Sequence, residues 1–302
     1  MQRYASDLDT EMRQVVDSLT PEPDYSVMAR YAMGWVNEAD EPYHQATGKR
    51  IRPIFLLLCA EAAGGDWRQA LPAAAAVELL HNFSLIHDDI QDDSPIRHGR
   101  PTVWKIWGVP NAINAGDILF SLSFHALHGL VNTATPPETT LKVWEIFNKT
   151  NRELTRGQHL DMRFESQETV TIDEYVSMIT GKSAALLGAC AEIGALIATN
   201  DAILAGHYAD FAINLGVAFQ IRDDILGIWG DPSLTGKSAA TDIISRKKSL
   251  PVLYGLKHSD QLSAIYQRET LSDADVAEAI AILDSHDAKA YTQSIEEEYY
   301  HK

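Results

Sequence analysis

The sequence predicts an all-α fold, and three observations carry that prediction. Apolar residues recur at helical spacing through most of the 302 residues, and capping signals head several of these runs. Hairpin chemistry is nearly absent: there is no Asn-Gly or Asp-Gly pair and no convincing run of alternating β-branched residues. Two aspartate clusters, LIHDDIQDD and FQIRDDILGIWGD, lie about 135 residues apart inside apolar, helix-like stretches, where carboxylates are costly unless something neutralises them.

Taken in order, helices are expected over 7–18 and 25–38, with TPEPD at 20–24 between them; residues 1–40 are a candidate for a loosely docked arm. A helix over 48–63 begins at GKRIRP. The next, over 67–93, contains AAAAVELLHNFSLIHDD, apolar on nearly every side as a buried helix is, and delivers its aspartates at the C-terminal end. Helices over 111–131 and 136–166 follow, the second headed by Thr135, Pro136, Pro137 and Glu138 at capping-box spacing. Thr171 with Glu174 heads 172–199 in the same way, and 202–229 carries the second aspartate cluster. Helices over 239–257, 260–268 and 273–284 complete the set, with Ser272 and Asp275 as a weaker cap for the last. The segments 94–110 and 230–238 are richest in turn formers, and each directly follows an aspartate cluster, as loops over one cavity would. No repeat, low-complexity tract or linker interrupts 45–260, so 1–302 reads as a single domain.

A hydrophobic content of 45% in 302 residues is enough to fill a large core. The 42 acidic against 25 basic residues leave a net charge of −17, which argues against nucleic acid or an anionic membrane as a partner. No apolar stretch reaches 18 residues without charge or strong turn formers, so integral membrane association is not expected. MQRYASDLDTEMRQ lacks the apolar core of a signal peptide, and two cysteines, Cys59 and Cys190, are too few for a disulfide framework. A reducing, cytoplasmic location is expected.

Asp88 and Asp92 are four residues apart and share one helix face, with Asp89 about 100° round. At a helix C-terminus the macrodipole opposes negative charge, so these carboxylates need cations. The second cluster places Asp223 and Asp224 one turn after Gln220, with Asp231 just past Gly230. Oxygen-only donors suit Mg²⁺ and leave positions for a phosphate. No histidine stands at ligand spacing from either cysteine, which excludes a zinc pattern. An isolated acidic pair is as often a solvated helix face; the apolar setting shifts the balance here. Basic residues gather at the same addresses. Lys49 and Arg52 stand three apart at a helix start, Arg97 and Arg100 follow the first cluster, Lys182 is a lone charge in a small-residue helix, and Lys237, Lys247 and Lys248 follow the second cluster. In an acidic chain this is an anion site built beside a metal site, since guanidinium and ammonium groups suit diphosphate oxygens.

In this order GKRIRP, HNFSLIHDDIQDD, RHGRPT, GKSAALLGA, FQIRDDILGIWGD and TGKSAATDIISRKKSLP resemble the motifs of the trans-isoprenyl diphosphate synthases, over about residues 45–255. The resemblance implies an isoprenoid-synthase-type helical bundle with two aspartate motifs facing each other across a central cavity. It also implies three Mg²⁺ ions and elongation of an allylic diphosphate by isopentenyl diphosphate. It assigns Asp88 and Asp92 as ligands of two ions with Asp89 in support, and Asp223 as ligand of the third, with Asp224 a further expected metal ligand of the second motif. Lys49, Arg52 and His81 match the isopentenyl diphosphate site, and His98 stands at a further position of that site where the family usually has arginine. Arg97, Lys182 with its neighbour Ser183, Gln220 and Lys237 match the allylic diphosphate site, and Lys247 matches a lysine that helps close it. In this family proton loss goes to the departing diphosphate, so His87 is not needed as a base. Relatives commonly pair as homodimers through broad helical faces, and the same is expected here.

Three positions depart from the family pattern. His98 follows Arg97 where two arginines are usual, Gly227 replaces a third aspartate of the second motif, and Trp104 stands where histidine is common. The chain also ends at EEEYYHK, sooner than the final helix of many relatives. Phe83, five residues before Asp88, points to the cavity floor with the small Ser84 beside it. That pattern resembles geranylgeranyl (C20) synthases, whereas two aromatics there would favour C15. A class I terpene cyclase, a His-Asp phosphohydrolase and a non-catalytic accessory subunit are rival readings. The repeated aspartates and the Lys49, Arg52 and His81 set speak against the cyclase, the lack of further metal-spaced histidines against the phosphohydrolase, and the intact first motif against the subunit.

Overall fold

The computed structural model describes residues 2–18, 22–43, 48–231, 240–268 and 270–302, and nearly all its regular structure is helical. Two compact units result, one holding residues up to Asn148 with Ala189–Ala209, the other Lys149–Gly188 and Asp210–Lys302.

The first part of the chain forms α1 (Gln2–Asp17), α2 (Pro23–Ala32), α3 (Ile51–Ala62), α4 (Leu71–Gln91), the strands β1 (Ile96–Arg97) and β2 (Arg100–Pro101), α5 (Val103–Trp107), α6 (Val109–His128) and α7 (Pro137–Ser166). In α1, Tyr4, Leu8 and Met12 follow at i, i+4 spacing and are all buried. The helix packs on α4 and α6, so these N-terminal residues are part of the first unit's core and not a loose arm. α3 starts later than expected because Gly48 and Arg50 are both left-handed, at φ 110° and 44°. The run expected over 67–93 is a 3-10 turn, Trp67–Ala70, followed by α4, with Pro72 in the first turn of the helix proper.

α4 packs most extensively on α6. Ala73 to Val77, Leu79 and Leu80 of α4 are buried, and so is the Ala112, Ala115, Gly116 and Leu119 face of α6. A Cβ at Gly116 would lie 2.3 Å from His87 Nε2, so glycine leaves room for the His87 ring between α4 and α6. The segment 94–110, expected as loop, contains a minimal hairpin pairing Ile96 with Pro101 and Arg97 with Arg100. Its two turn residues, His98 and Gly99, have φ of 51° and 75°, the two positive values of a type I′ turn. Histidine is among the residue types that enter this region, and the His-Gly signal is easy to overlook.

The second part continues with α8 (Ile172–Ile179), a π-helical turn (Thr180–Ala184), α9 (Ala185–Thr199), α10 (Ala202–Trp229), α11 (Thr241–Ile244), α12 (Leu250–His258), α13 (Asp260–Tyr266), α14 (Asp273–Ser285) and α15 (Ala288–His301). The capping boxes at Thr171 and Ser272 form as expected; Thr135 instead accepts a hydrogen bond from Thr133 Oγ1. The helix expected over 239–257 is broken between α11 and α12, where Arg246 is left-handed at φ 54°. α15 has no counterpart among the expected helices, yet it buries Ala288 and Thr292, and its Tyr291 stacks on Tyr254 at 4.0 Å. Two apolar clusters form the core of this unit, one around Tyr175, Ile179 and Ile221, the other around Ile243, Leu262 and Leu283.

Candidate active site

In the first unit, α4 carries Asp88 and Asp89 in its last turn, and the Asp92 amide donates to the Asp88 carbonyl at 2.9 Å. The hairpin aims Arg97 back at them. Its Nε donates to Asp89 Oδ1 at 2.7 Å and its Nη2 to Asp88 Oδ2 at 2.9 Å. Asp89 is 5% exposed, and burial pushes its carboxyl above the usual range while Arg97 pulls the other way. The hairpin base is tied by Thr102 Oγ1 and Trp104 Nε1, both donating to the Ser94 carbonyl at 2.9 Å, which gives the Trp104 departure a structural role.

Beside this pair opens a cavity of about 240 Å³ whose wall includes Lys49, Arg52, His81, Asp89, Arg97 and His98. Five basic residues singled out from distant parts of the sequence are thus brought to one space. Arg52 Nη1 lies 3.2 Å from His81 Nε2. Burial, and then the positive charges of Arg52, Arg97 and His98, hold the His81 imidazole neutral well below its ordinary pKa. Its Nε2 therefore accepts from Arg52, which puts the ring proton on Nδ1. Also on α4, the Phe83 ring sits 4.9 Å from Phe120, the first of a series continuing to Phe124 at 5.3 Å and Trp144 at 5.6 Å. Ser84 Oγ turns back to the His81 carbonyl at 2.8 Å.

In the second unit α7 crosses the π-helical turn backbone to backbone: a Cβ at Gly157 would lie 2.1 Å from Lys182 N. That crossing sets Lys182 Nζ on Asp161 Oδ2 at 2.5 Å. Next to it Ser183 Oγ donates to Gln220 Oε1 at 2.8 Å, and Gln220 Nε2 to Asp224 Oδ1 at 3.3 Å. Asp224, expected as a metal ligand, is 1% exposed. Its Oδ2 accepts from Tyr175 and from the Leu250 amide, and Lys247 Nζ lies 3.8 Å from Oδ1. With both oxygens engaged by protein groups, Asp224 is a clasp joining α8, α10 and α12, while Asp223 stands one residue away on α10. Burial works against the charge of Lys247, but Asp224, Asp242, Asp161 and Asp223 outweigh it and hold the ammonium above its ordinary pKa. The Gly227 departure also has a local reason: a Cβ there would lie 2.6 Å from Asp242 Cγ and Oδ2. Lys237 lies outside the described residues.

Among the described residues no three of His, Cys, Asp and Glu converge as a ready metal site. Asp161, Tyr175 and Asp242 were not singled out from the sequence. Asp161 had a signal in the polar pair of RGQHLD; Tyr175 had none.

A family model described as Polyprenyl synthetase matches residues 33–283. The (2E,6E)-farnesyl diphosphate synthase of Mycobacterium tuberculosis is 42% identical over 247 residues, covering 82% of this chain and 67% of that protein. The geranylgeranyl diphosphate synthase of the same organism is 37% identical over 288 residues, covering 94% and 81%. A crystal structure of polyprenyl synthetase from Streptomyces coelicolor superposes with a TM-score of 0.90 at 32% identity, covering 99% of this chain and 90% of that one. The ordered motifs, the all-α fold and these matches agree: the chain belongs to the polyprenyl synthetase family and is a short-chain trans-prenyl diphosphate synthase, a prenyltransferase acting on isopentenyl and allylic diphosphates.

Proposed function

We propose that this protein makes geranylgeranyl diphosphate, C20, by adding isopentenyl diphosphate to allylic diphosphates. The observation that carries the product assignment is Phe83 on α4, a single aromatic five residues before Asp88, backed by the Phe120 ring at 4.9 Å and flanked by the small Ser84. The relative named a farnesyl diphosphate synthase, at 42% identity, favours C15 as the second reading.

The division of labour is by residue. Lys49 and Arg52, which make no ion pair among the described residues, receive the diphosphate of isopentenyl diphosphate together with His81 and His98. Asp88 and Asp92, supported by Asp89, and Asp223 in the second unit would hold Mg²⁺, three ions in all; a donor set of carboxylate oxygens fits a hard cation. When bound, Mg²⁺ neutralises charge that develops on the leaving diphosphate. Arg97, Lys182, Ser183, Gln220, Lys237 and Lys247 are assigned to the allylic diphosphate. As the allylic C–O bond breaks, the homoallylic double bond attacks C1, and the released proton goes to diphosphate. The partner is a second copy of the chain, meeting an apolar face of α10 on which Phe211 and Phe219 are 58% and 69% exposed.

Incubation of the purified protein with Mg²⁺, labelled isopentenyl diphosphate and separate C5, C10 and C15 allylic diphosphates tests this reading by product chain length. C20 should accumulate, and Phe83→Ala should lengthen the product. Dominant C15 would favour the second reading, and no elongation by folded protein would overturn both.

A further inference from the structure

Glu78 lies on α4 one turn before His81 and Asn82, buried in the wall of the same cavity as Arg52. The roles assigned above make no use of it. Its Oε1 accepts from Asn82 Nδ2 at 3.3 Å, while Oε2 is buried with no hydrogen-bond partner. Arg52 Nε is likewise buried with none. Buried polar groups are nearly always satisfied, so an unfilled acceptor and an unfilled donor of opposite charge lining one cavity mark a contact that function completes.

The neighbouring charges narrow the reading. Arg50 is bound by Asp9 at 2.6 Å, and Arg97 by Asp88 and Asp89. Arg100 stacks on Tyr31 and Tyr43 and donates to the Val36 carbonyl at 2.7 Å. Of these guanidiniums Arg52 and Arg100 have no carboxylate at ion-pair distance within the described residues, and Arg100 is already held by its two rings and a carbonyl, which leaves Arg52 as the one whose Nε is buried with no hydrogen-bond partner. Burial raises the Glu78 pKa, and the nearby Arg50 and Arg52 oppose that rise. A carboxylate in the wall of an anion pocket repels substrate unless a cation takes up its charge.

We infer that Glu78 is a positioning residue whose carboxylate sets the Arg52 guanidinium to receive the diphosphate of isopentenyl diphosphate, an inference that rests on assigning this cavity to that substrate. Asn82 Nδ2 holds Glu78 Oε1 and His81 Nε2 takes the Arg52 Nη1 edge, which leaves Glu78 Oε2 and Arg52 Nε as the two groups to be brought together when substrate binds.

Glu78→Gln keeps the volume and removes the charge. Its KM for isopentenyl diphosphate should rise about tenfold, with kcat and the KM for the allylic diphosphate unchanged, and Glu78→Asp should recover part of the loss. An unchanged KM in Glu78→Gln overturns the inference, and so does a lower one, which would mean the carboxylate only repels substrate. If Glu78→Gln does not fold, the KM of Glu78→Asp decides, a smaller rise being expected and an unchanged value overturning the role. Arg52→Gln assayed alongside separates the two levels: an unchanged KM for isopentenyl diphosphate in that variant would remove the cavity assignment itself, and the role of Glu78 with it.

Discussion

His81 shows a pocket setting the protonation of its own wall. Its imidazole is held neutral by burial and by Arg52, Arg97 and His98, whereas an unfolded chain's histidine takes up a proton near pH ~6.5. The folded-state pKa is depressed, so the unfolded state binds the proton first. The stability this group contributes is present above about pH 6.5 and is lost as pH falls below it, by at most ~1.4 kcal/mol per pH unit. Chemical denaturation should show that loss between about pH 7 and about pH 5, and His81→Gln should flatten it; an unaltered slope would assign the loss to other groups. Asp224 makes the complementary point. Its carboxylate accepts from Tyr175 and from the Leu250 amide in a fully buried place. Asp224→Ala strands those donors, and an unfolding free energy about 3 kcal/mol lower is expected. A melting temperature unchanged from the parent would show that the clasp carries no stability.

Among elements, the crossing of α7 with the π-helical turn is the most constrained. Gly157 and Gly181 bring backbones into contact, a Cβ at Gly181 lying 2.7 Å from the Glu153 carbonyl. Overpacking of this kind costs about 1–3 kcal/mol, so Gly157→Ala should lower stability by about that much. It should also raise the KM for the allylic diphosphate by pushing Lys182 away from Asp161. Measuring both separates the packing effect from the site effect. α4 was legible from its all-round apolar character, and α8 from its capping box, because both signals are local. The π-helical turn was not, since GKSAALLGA continues the helical pattern and only the approach of α7 changes the winding. α15 was missed for the opposite reason: its sequence is polar, and it is held by contacts with α12 and α14.

For the whole molecule, the open question is what covers α10. Two helical stretches, Ile172–Thr199 and Ala202–Trp229, are long and apolar enough by composition to cross a membrane; 61% of the first window is buried within the protein but only 33% of the second. The exposed residues of the second include Phe211, Phe219 and Leu226, spaced to share a helix face. A second copy on that face predicts a dimer in solution, and Phe219→Glu should convert it to monomer by light scattering. A monomeric parent protein would give this face another occupant.

The sequence by itself determined the fold class, most helices, the two aspartate clusters and the basic residues of the pocket, because period, caps and charge spacing are properties of short segments. Only the tertiary structure decided that Lys49, Arg52, His81, Arg97 and His98 share one cavity, that Asp224 is a buried clasp, that Asp161 pairs with Lys182, and that Gly227 makes room for Asp242. Each of these depends on which distant residues share a space, and neither the spacing nor the composition of any one segment contains that information.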